Sequence, residues 1–160
     1  IFLTTMGNNQ IRGKKHKVYG IVAYCIQNRQ YLLTLNKQGH FWEFPKGYPE
    51  KRDNCDELKT ALREFEEETG ISQSCLRIIP HKTDLSFNYL RHGKQEKEAR
   101  YFIAVLDQVP QNVKIQHSEV ADFMWANYEK ALQQLTYENC KNILIKVNEE
   151  IDNFLQNNQQ

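Results

Sequence analysis

The pattern of the chain predicts an α/β sandwich built on a mixed β-sheet. Strand-like runs precede and follow one central amphipathic helix, the C-terminal third turns helical, and no repeat or low-complexity linker divides the 160 residues. Residues 18–26 (VYGIVAYCI) and 31–35 (YLLTL) are β-branched and aromatic, and the polar break at Gln27 to Gln30 makes them two strands joined by a turn. Gly39 to Pro49 gathers Phe41, Trp42, Phe44 and Lys46 around two glycines and two prolines, as a strand end entering a loop does. Asn54, with Glu57 three residues on, reads as a capping box ahead of Leu58, Leu62 and Phe65 at helical spacing. That helix is expected to end near Thr69, with Gly70 past its last turn. Residues 76–79, 83–89, 99–106 and 123–125 read as further strands, with 91–97 a polar hairpin loop. Helices are expected at 128–135 and 138–154, the latter striped with Cys140, Ile143, Val147, Ile151 and Phe154.

A chain of this length suits one domain, here residues 16–155, with an N-terminal extension over 1–15 and a frayed tail at 156–160. Met6 is a candidate initiator, which sets Ile1 to Thr5 apart as foreign to the natural chain. Twenty-one Lys and Arg against 20 Asp and Glu give a net charge of +1, so no global field draws the protein to nucleic acid or membrane. Cys25, Cys55, Cys75 and Cys140 lie far apart without a C-x-x-C pair, which argues against zinc and a disulfide framework and for reduced thiols in the cytoplasm. No apolar run approaches the roughly 20 residues a membrane span needs, and the first ten residues are too short and polar for a signal peptide. A soluble monomer is the expectation.

The informative stretch is Arg63-Glu64-Phe65-Glu66-Glu67-Glu68-Thr69-Gly70. At about 100° per residue, Glu64, Glu67 and Glu68 share one helix face while Glu66 points away. Like charges at these spacings repel by a few tenths of a kcal/mol per pair, a cost that a divalent cation reverses. Oxygen-only ligation suits Mg²⁺ or Mn²⁺. A solvated acidic face is the plain alternative. Yet the five fixed letters of R-E-x-x-E-E-x-G arise by chance in about one chain in 10⁴.

This stretch resembles the box of the Nudix (MutT-like) hydrolases, G-x5-E-x7-R-E-U-x-E-E-x-G-U with U bulky and apolar. Arg63, Glu64, Phe65, Glu67, Glu68, Gly70 and Ile71 match its second half, and Gly47 matches the loop glycine. Arg63 falls 16 residues after Gly47 where the pattern has 14, so two residues are inserted, and Asp53, Cys55 and Glu57 all compete for the box's first glutamate. The resemblance implies a Nudix-type α/β/α sandwich and a water molecule activated by Mg²⁺ to attack phosphorus. It makes Glu64, Glu67 and Glu68 metal ligands, and Glu98 or Glu96 a fourth ligand or general base. Arg63 counts among the catalytic residues as a clamp on a box carboxylate.

Outside the box, Phe41 to Gly47, Leu85 to Tyr89, Arg100 to Val105 and His117-Ser118-Glu119 leading to Trp125 are similar in order and spacing to the diadenosine tetraphosphate (Ap4A) hydrolases, over roughly residues 17 to 155. That likeness implies asymmetric cleavage of Ap4A to ATP and AMP. Lys46 and Gly47 would meet phosphate, Tyr89 and Tyr137 would stack on adenine, and Arg91 and Lys94 would supply cations. Each has a structural alternative: Lys46 a solvated turn lysine, Tyr89 or Phe87 core, Tyr137 a cover for a helix end. His40 and His117 lack metal-ligand spacing and read as structural. The rival substrates are a 5′-pyrophosphate or capped RNA, since Trp-x-x-Pro-Lys-Gly loops occur in such enzymes too, and diphosphoinositol polyphosphates. The near-neutral charge disfavours both. A non-catalytic nucleotide-binding module is the alternative of another class, and the retained glutamates argue against it.

Overall fold

A computed structural model describes residues 15–111 and 113–158; the expected extension lies outside them apart from Lys15, as do residues 159 and 160 of the tail. Eight strands form one mixed sheet among these residues: β1 (His16–Cys25), β2 (Gln30–Asn36), β3 (Trp42–Glu43), β4 (Lys46–Gly47), β5 (Arg77–Ile79), β6 (Ser86–Arg91), β7 (Gln95–Leu106) and β8 (Val120–Ala126). The main order is β3-β2-β1-β7-β5, with β4 on β1, β6 on β7 and β8 on β2. Only β1 and β7 run parallel, in unbroken register from His16 opposite Lys97 to Cys25 opposite Leu106.

From Val18 to Cys25 every residue of β1 is buried, because helices cover both sheet faces. Tyr19, Ile21, Ala23 and Cys25 face α1 (Glu57–Thr69) and its Ala61 and Phe65. Val18, Val22 and Tyr24 face the other way with Tyr101, Ile103 and Val105, against α3 (Glu138–Asn157) and α2 (Tyr128–Gln134). The α/β sandwich expected from the pattern, with the α/β/α layering that the resemblance implies, is therefore the fold.

Four details differ from expectation. Asn54 does not cap α1: it closes a 3₁₀ turn at Lys51–Asp53 in the left-handed conformation, and Asp56 caps the helix by accepting from the Lys59 N–H at 2.9 Å. The hairpin loop shrinks from 91–97 to His92, Gly93 and Lys94, because positive φ at His92 and Gly93 turns the chain at once and Arg91 already pairs with Gln95. β8 begins at Val120 because β2 offers it partners that far. At the C-terminus α3 continues through residues 156 and 157, which were expected to fray. Gly70 does end α1, at φ 69°.

Candidate active site

Gly47 and the three-residue spacing of α1 build the site. β4 is only Lys46–Gly47, yet its pairing to Tyr19 and Gly20 of β1 pins this turn above the middle of α1. A Cβ at Gly47 would stand 2.1 Å from the Glu64 carboxyl carbon, so only glycine leaves room for that side chain. Beneath it Arg63 makes a web. It donates through Nε and Nη2 to Asp53 at 2.9 Å each, through Nη2 to the Tyr48 carbonyl at 2.8 Å, and through Nη1 to Glu64 at 2.8 Å and Glu67 at 3.1 Å. Asp53 also accepts from the Glu50 N–H and the Thr60 hydroxyl. Of the three residues competing for the box's first glutamate, Asp53 is therefore the one that Arg63 clamps, and Glu57 pairs with Arg100 instead.

Glu64 and Glu68 line a cavity of about 780 Å³ that runs from the Gly47 turn to the start of α3. Glu119 joins them, carried there by two backbone bonds: Lys37 N–H to the Glu119 carbonyl at 2.8 Å, and Gln116 N–H to the Glu68 carbonyl at 3.0 Å. Burial pushes the Glu64 carboxyl up against the opposing pull of Arg63. Burial raises Glu68 further, with Lys46 opposing and Glu43, Glu64 and Glu119 adding to the rise. Five glutamates (43, 50, 64, 68 and 119) line the cavity against two permanent cations, Lys46 and Arg91. At its far end Tyr137 is 52% exposed and lies 5.2 Å from the Phe41 ring, while Tyr89 is half-buried in the wall.

The family model described as NUDIX domain matches residues 14–146. The chain belongs to the Nudix family. It is 37% identical over 130 residues to the mRNA-decapping protein g5R of African swine fever virus (isolate Pig/Kenya/KEN-50/1950), covering 72% of this chain and 51% of that protein. The chain thus spans about half the length of those viral relatives. It is 31% identical over 113 residues to the asymmetrical bis(5′-nucleosyl)-tetraphosphatase of Rattus norvegicus, covering 70% of this chain and 74% of the rat protein. The crystal structure of a Caenorhabditis elegans Ap4A hydrolase binary complex superposes with a TM-score of 0.72 at 27% identity, over 89% of this chain and 98% of that one.

Nudix hydrolases generally use divalent metal ions. Among the described residues no three carboxylate, thiol or imidazole groups already converge on one point. Glu64 is instead held by Arg63, and Glu67 by Arg63 and by Arg52 at 2.6 Å. Mg²⁺ keeps several waters and takes one or two carboxylates directly, so a loosely spaced all-oxygen set fits it. The surplus of carboxylates fits it too, since a polyphosphate cannot approach them without an intervening cation.

The structure brings Lys46, Gly47, Tyr89, Arg91 and Tyr137 to the cavity. It does not bring Glu67, Arg63, Glu98, Glu96 or Lys94 there: Glu67 lies outside the lining, paired with Arg52 and Arg63. Glu98 lies on the α1 side of β7, paired with Arg100 at 3.4 Å and Lys15 at 3.6 Å, because side chains alternate along a strand and Lys97 and Ala99 take the cavity side. Glu96 shares that outer side and pairs with Lys15, while Lys94 sits exposed on the β6–β7 turn. One residue that lines the cavity and one packed behind its wall went unread in the sequence. Glu119 stood in the Ap4A-like motif His117-Ser118-Glu119, but nothing local showed where its side chain goes. Lys97, 2% exposed with its ammonium 4.4 Å over the Tyr48 ring, looked like part of a solvated hairpin. The Arg91 guanidinium donates to that tyrosine's hydroxyl at 3.1 Å. All four cysteines are free, Cys25 and Cys140 buried, and no helix among the described residues is long and apolar enough to cross a membrane.

Proposed function

We propose that this Nudix domain hydrolyses a phosphoanhydride of a nucleoside polyphosphate with Mg²⁺ as the ion, and that Ap4A, cut to ATP and AMP, is its substrate. The observation that carries this reading is that one cavity is lined by both carboxylates and aromatic rings, which matches a molecule that carries both phosphates and a base. Glu64, Glu67 and Glu68 of α1, with Glu119 in place of Glu98, would hold the ion. When bound, it supplies charge neutralisation at the phosphates and a water of lowered pKa. Arg63 and Asp53 hold the Gly47 turn and the Glu64 side chain in place. Glu68 or Glu119 accepts the proton as the water oxygen bonds to phosphorus and the bond to the leaving nucleotide breaks. Lys46 and Arg91 offset phosphate charge, and Tyr89 and Tyr137 seat the base. The names of the rat and nematode relatives support the dinucleotide.

A second reading, removal of an mRNA cap, is favoured by the 37% identity to the viral decapping protein. Product analysis separates the two. Hydrolysis of Ap4A in H₂¹⁸O is expected to give ATP and AMP, and to outrun release of a nucleotide from capped or triphosphate-ended RNA at equal concentration. Two ADP molecules, or faster turnover of RNA, would overturn the Ap4A assignment.

A further inference from the structure

Glu67 shares a helix face with Glu64 and Glu68, yet it alone of the three stays outside the cavity lining. Two guanidinium groups hold it there. Arg52 donates from Nη2 to Glu67 Oε1 at 2.6 Å, and Arg63 donates from Nη1 to Glu67 Oε2 at 3.1 Å. The two arginines are held very differently. The Arg63 side chain is 11% exposed and is fixed from several directions by Asp53, the Tyr48 carbonyl and Glu64. The Arg52 side chain is 61% exposed, and among the described residues its partners are two carboxylates, Glu67 and, through Nε at 2.7 Å, Glu50.

The backbone that carries Arg52 is anchored without help from its guanidinium. Asp53 ends the same 3₁₀ turn and accepts from Arg63 and from the Glu50 N–H at 2.8 Å, while Lys59 Nζ donates to the Arg52 carbonyl at 2.8 Å. Glu67 keeps lone pairs to spare while it holds both arginines, so its conflict with a divalent ion is one of charge and position. Glu64 and Glu68 both face the cavity, and Glu67 joins them only by turning away from Arg52. A Glu67 that stayed in place would share its carboxylate between the ion and a guanidinium, and those two cations repel.

We propose that Arg52 is a positioning residue for Glu67: it draws the carboxylate out of the cavity in the metal-free protein, and a divalent ion must displace it to gain Glu67 as a ligand. This inference rests on the reading that Glu67 holds the ion. Without metal, Arg52 offsets the repulsion among the like charges of α1. With metal, the lost pair is subtracted from the affinity of the ion. An exposed pair of this kind is worth at most about fivefold in an equilibrium constant, and salt screens it.

The test is a double-mutant cycle of Arg52→Ala and Glu67→Gln, read by Mn²⁺ binding to the whole chain without substrate, with free Mn²⁺ followed by electron paramagnetic resonance at low and high salt. Lys51→Ala is the control, because it removes an adjacent exposed cation without releasing Glu67. Arg52→Ala is expected to tighten Mn²⁺ binding by about three- to fivefold at low salt and by less than about twofold at high salt. In the Glu67→Gln background the same substitution is expected to change binding by less than about twofold, since no charged pair remains to be broken. Lys51→Ala is expected to stay below about twofold as well, because a solvated charge that holds no ligand acts only through the screened field. No tightening in Arg52→Ala, equal tightening in both backgrounds, or the same tightening in Lys51→Ala overturns the proposal. If Glu67→Gln binds Mn²⁺ like the native protein, the reading that Glu67 holds the ion fails and the proposal with it. If Glu67→Gln weakens Mn²⁺ binding and Arg52→Ala does not tighten it, the proposal alone fails.

Discussion

Asp53 is 1% exposed and accepts both forks of the Arg63 guanidinium, which holds its carboxyl well below the ordinary value of 3.8. Its pKa is depressed in the fold, so the stability it contributes is complete above about pH 5 and is lost as the pH falls through and below the unfolded value. Asp53→Asn is expected to cost about 2 kcal/mol at pH 7, since the Arg63 guanidinium loses its two-pronged charged acceptor while keeping Glu64, Glu67 and the Tyr48 carbonyl. That deficit should shrink by about 1 kcal/mol at pH 3, measured by denaturant titration at both pH values. A deficit constant with pH would mean that the carboxylate's charge is not what counts. Glu68 behaves in the opposite way. Burial and three neighbouring carboxylates press its pKa upward, so the fold gains nothing from its charge. Glu68→Gln should leave the melting temperature unchanged or higher while kcat falls by about 10² to 10³. If stability falls and turnover per folded molecule does not, Glu68 belongs to the scaffold and not to the chemistry.

The meeting of β4 and α1 is where local pattern becomes a site. α1 was legible because its periodicity, its apolar face and its terminal glycine agree, and a strong local signal leaves little for tertiary context to override. β4 has two residues, and no pattern that short is readable. It exists because the β1 backbone offers bonds at Tyr19 and Gly20. Gly47→Ala tests the junction directly. The added methyl would displace the Glu64 carboxylate, whose nearest atoms stand about 2.1 Å from its position. The expected result is a loss in kcat of tenfold or more with the sheet intact by circular dichroism, because a misplacement of about 1 Å is enough to cost that much. Native turnover in Gly47→Ala would show that Glu64 does not need its present place.

On the scale of the whole molecule, the near-neutral net charge conceals a strongly acidic cavity, with five glutamates facing two permanent cations. Activity should therefore vanish in EDTA and return with excess Mg²⁺. Mg²⁺ should also raise the melting temperature, since an ion at ten times its Kd stabilises the fold by about 1.4 kcal/mol, worth about 4 °C in a chain of this size. Full turnover in EDTA would refute the requirement for a divalent ion. Sequence alone determined the sandwich, the central helix and its three acidic positions on one face, because helix periodicity is local, and the likeness to the Nudix box added the glycine of the turn. Only the tertiary structure decided which carboxylate arrives from outside the helix. Glu98 and Lys97 are neighbours on β7, and the sheet sends one toward Arg100 and the other under the Tyr48 ring. Glu119 reaches the cavity through backbone bonds to Lys37 and, by way of Gln116, to Glu68. Strand alternation says that adjacent side chains part company, but which face is the cavity depends on contacts between segments 48 and 82 residues apart in the chain, and no local pattern carries that information.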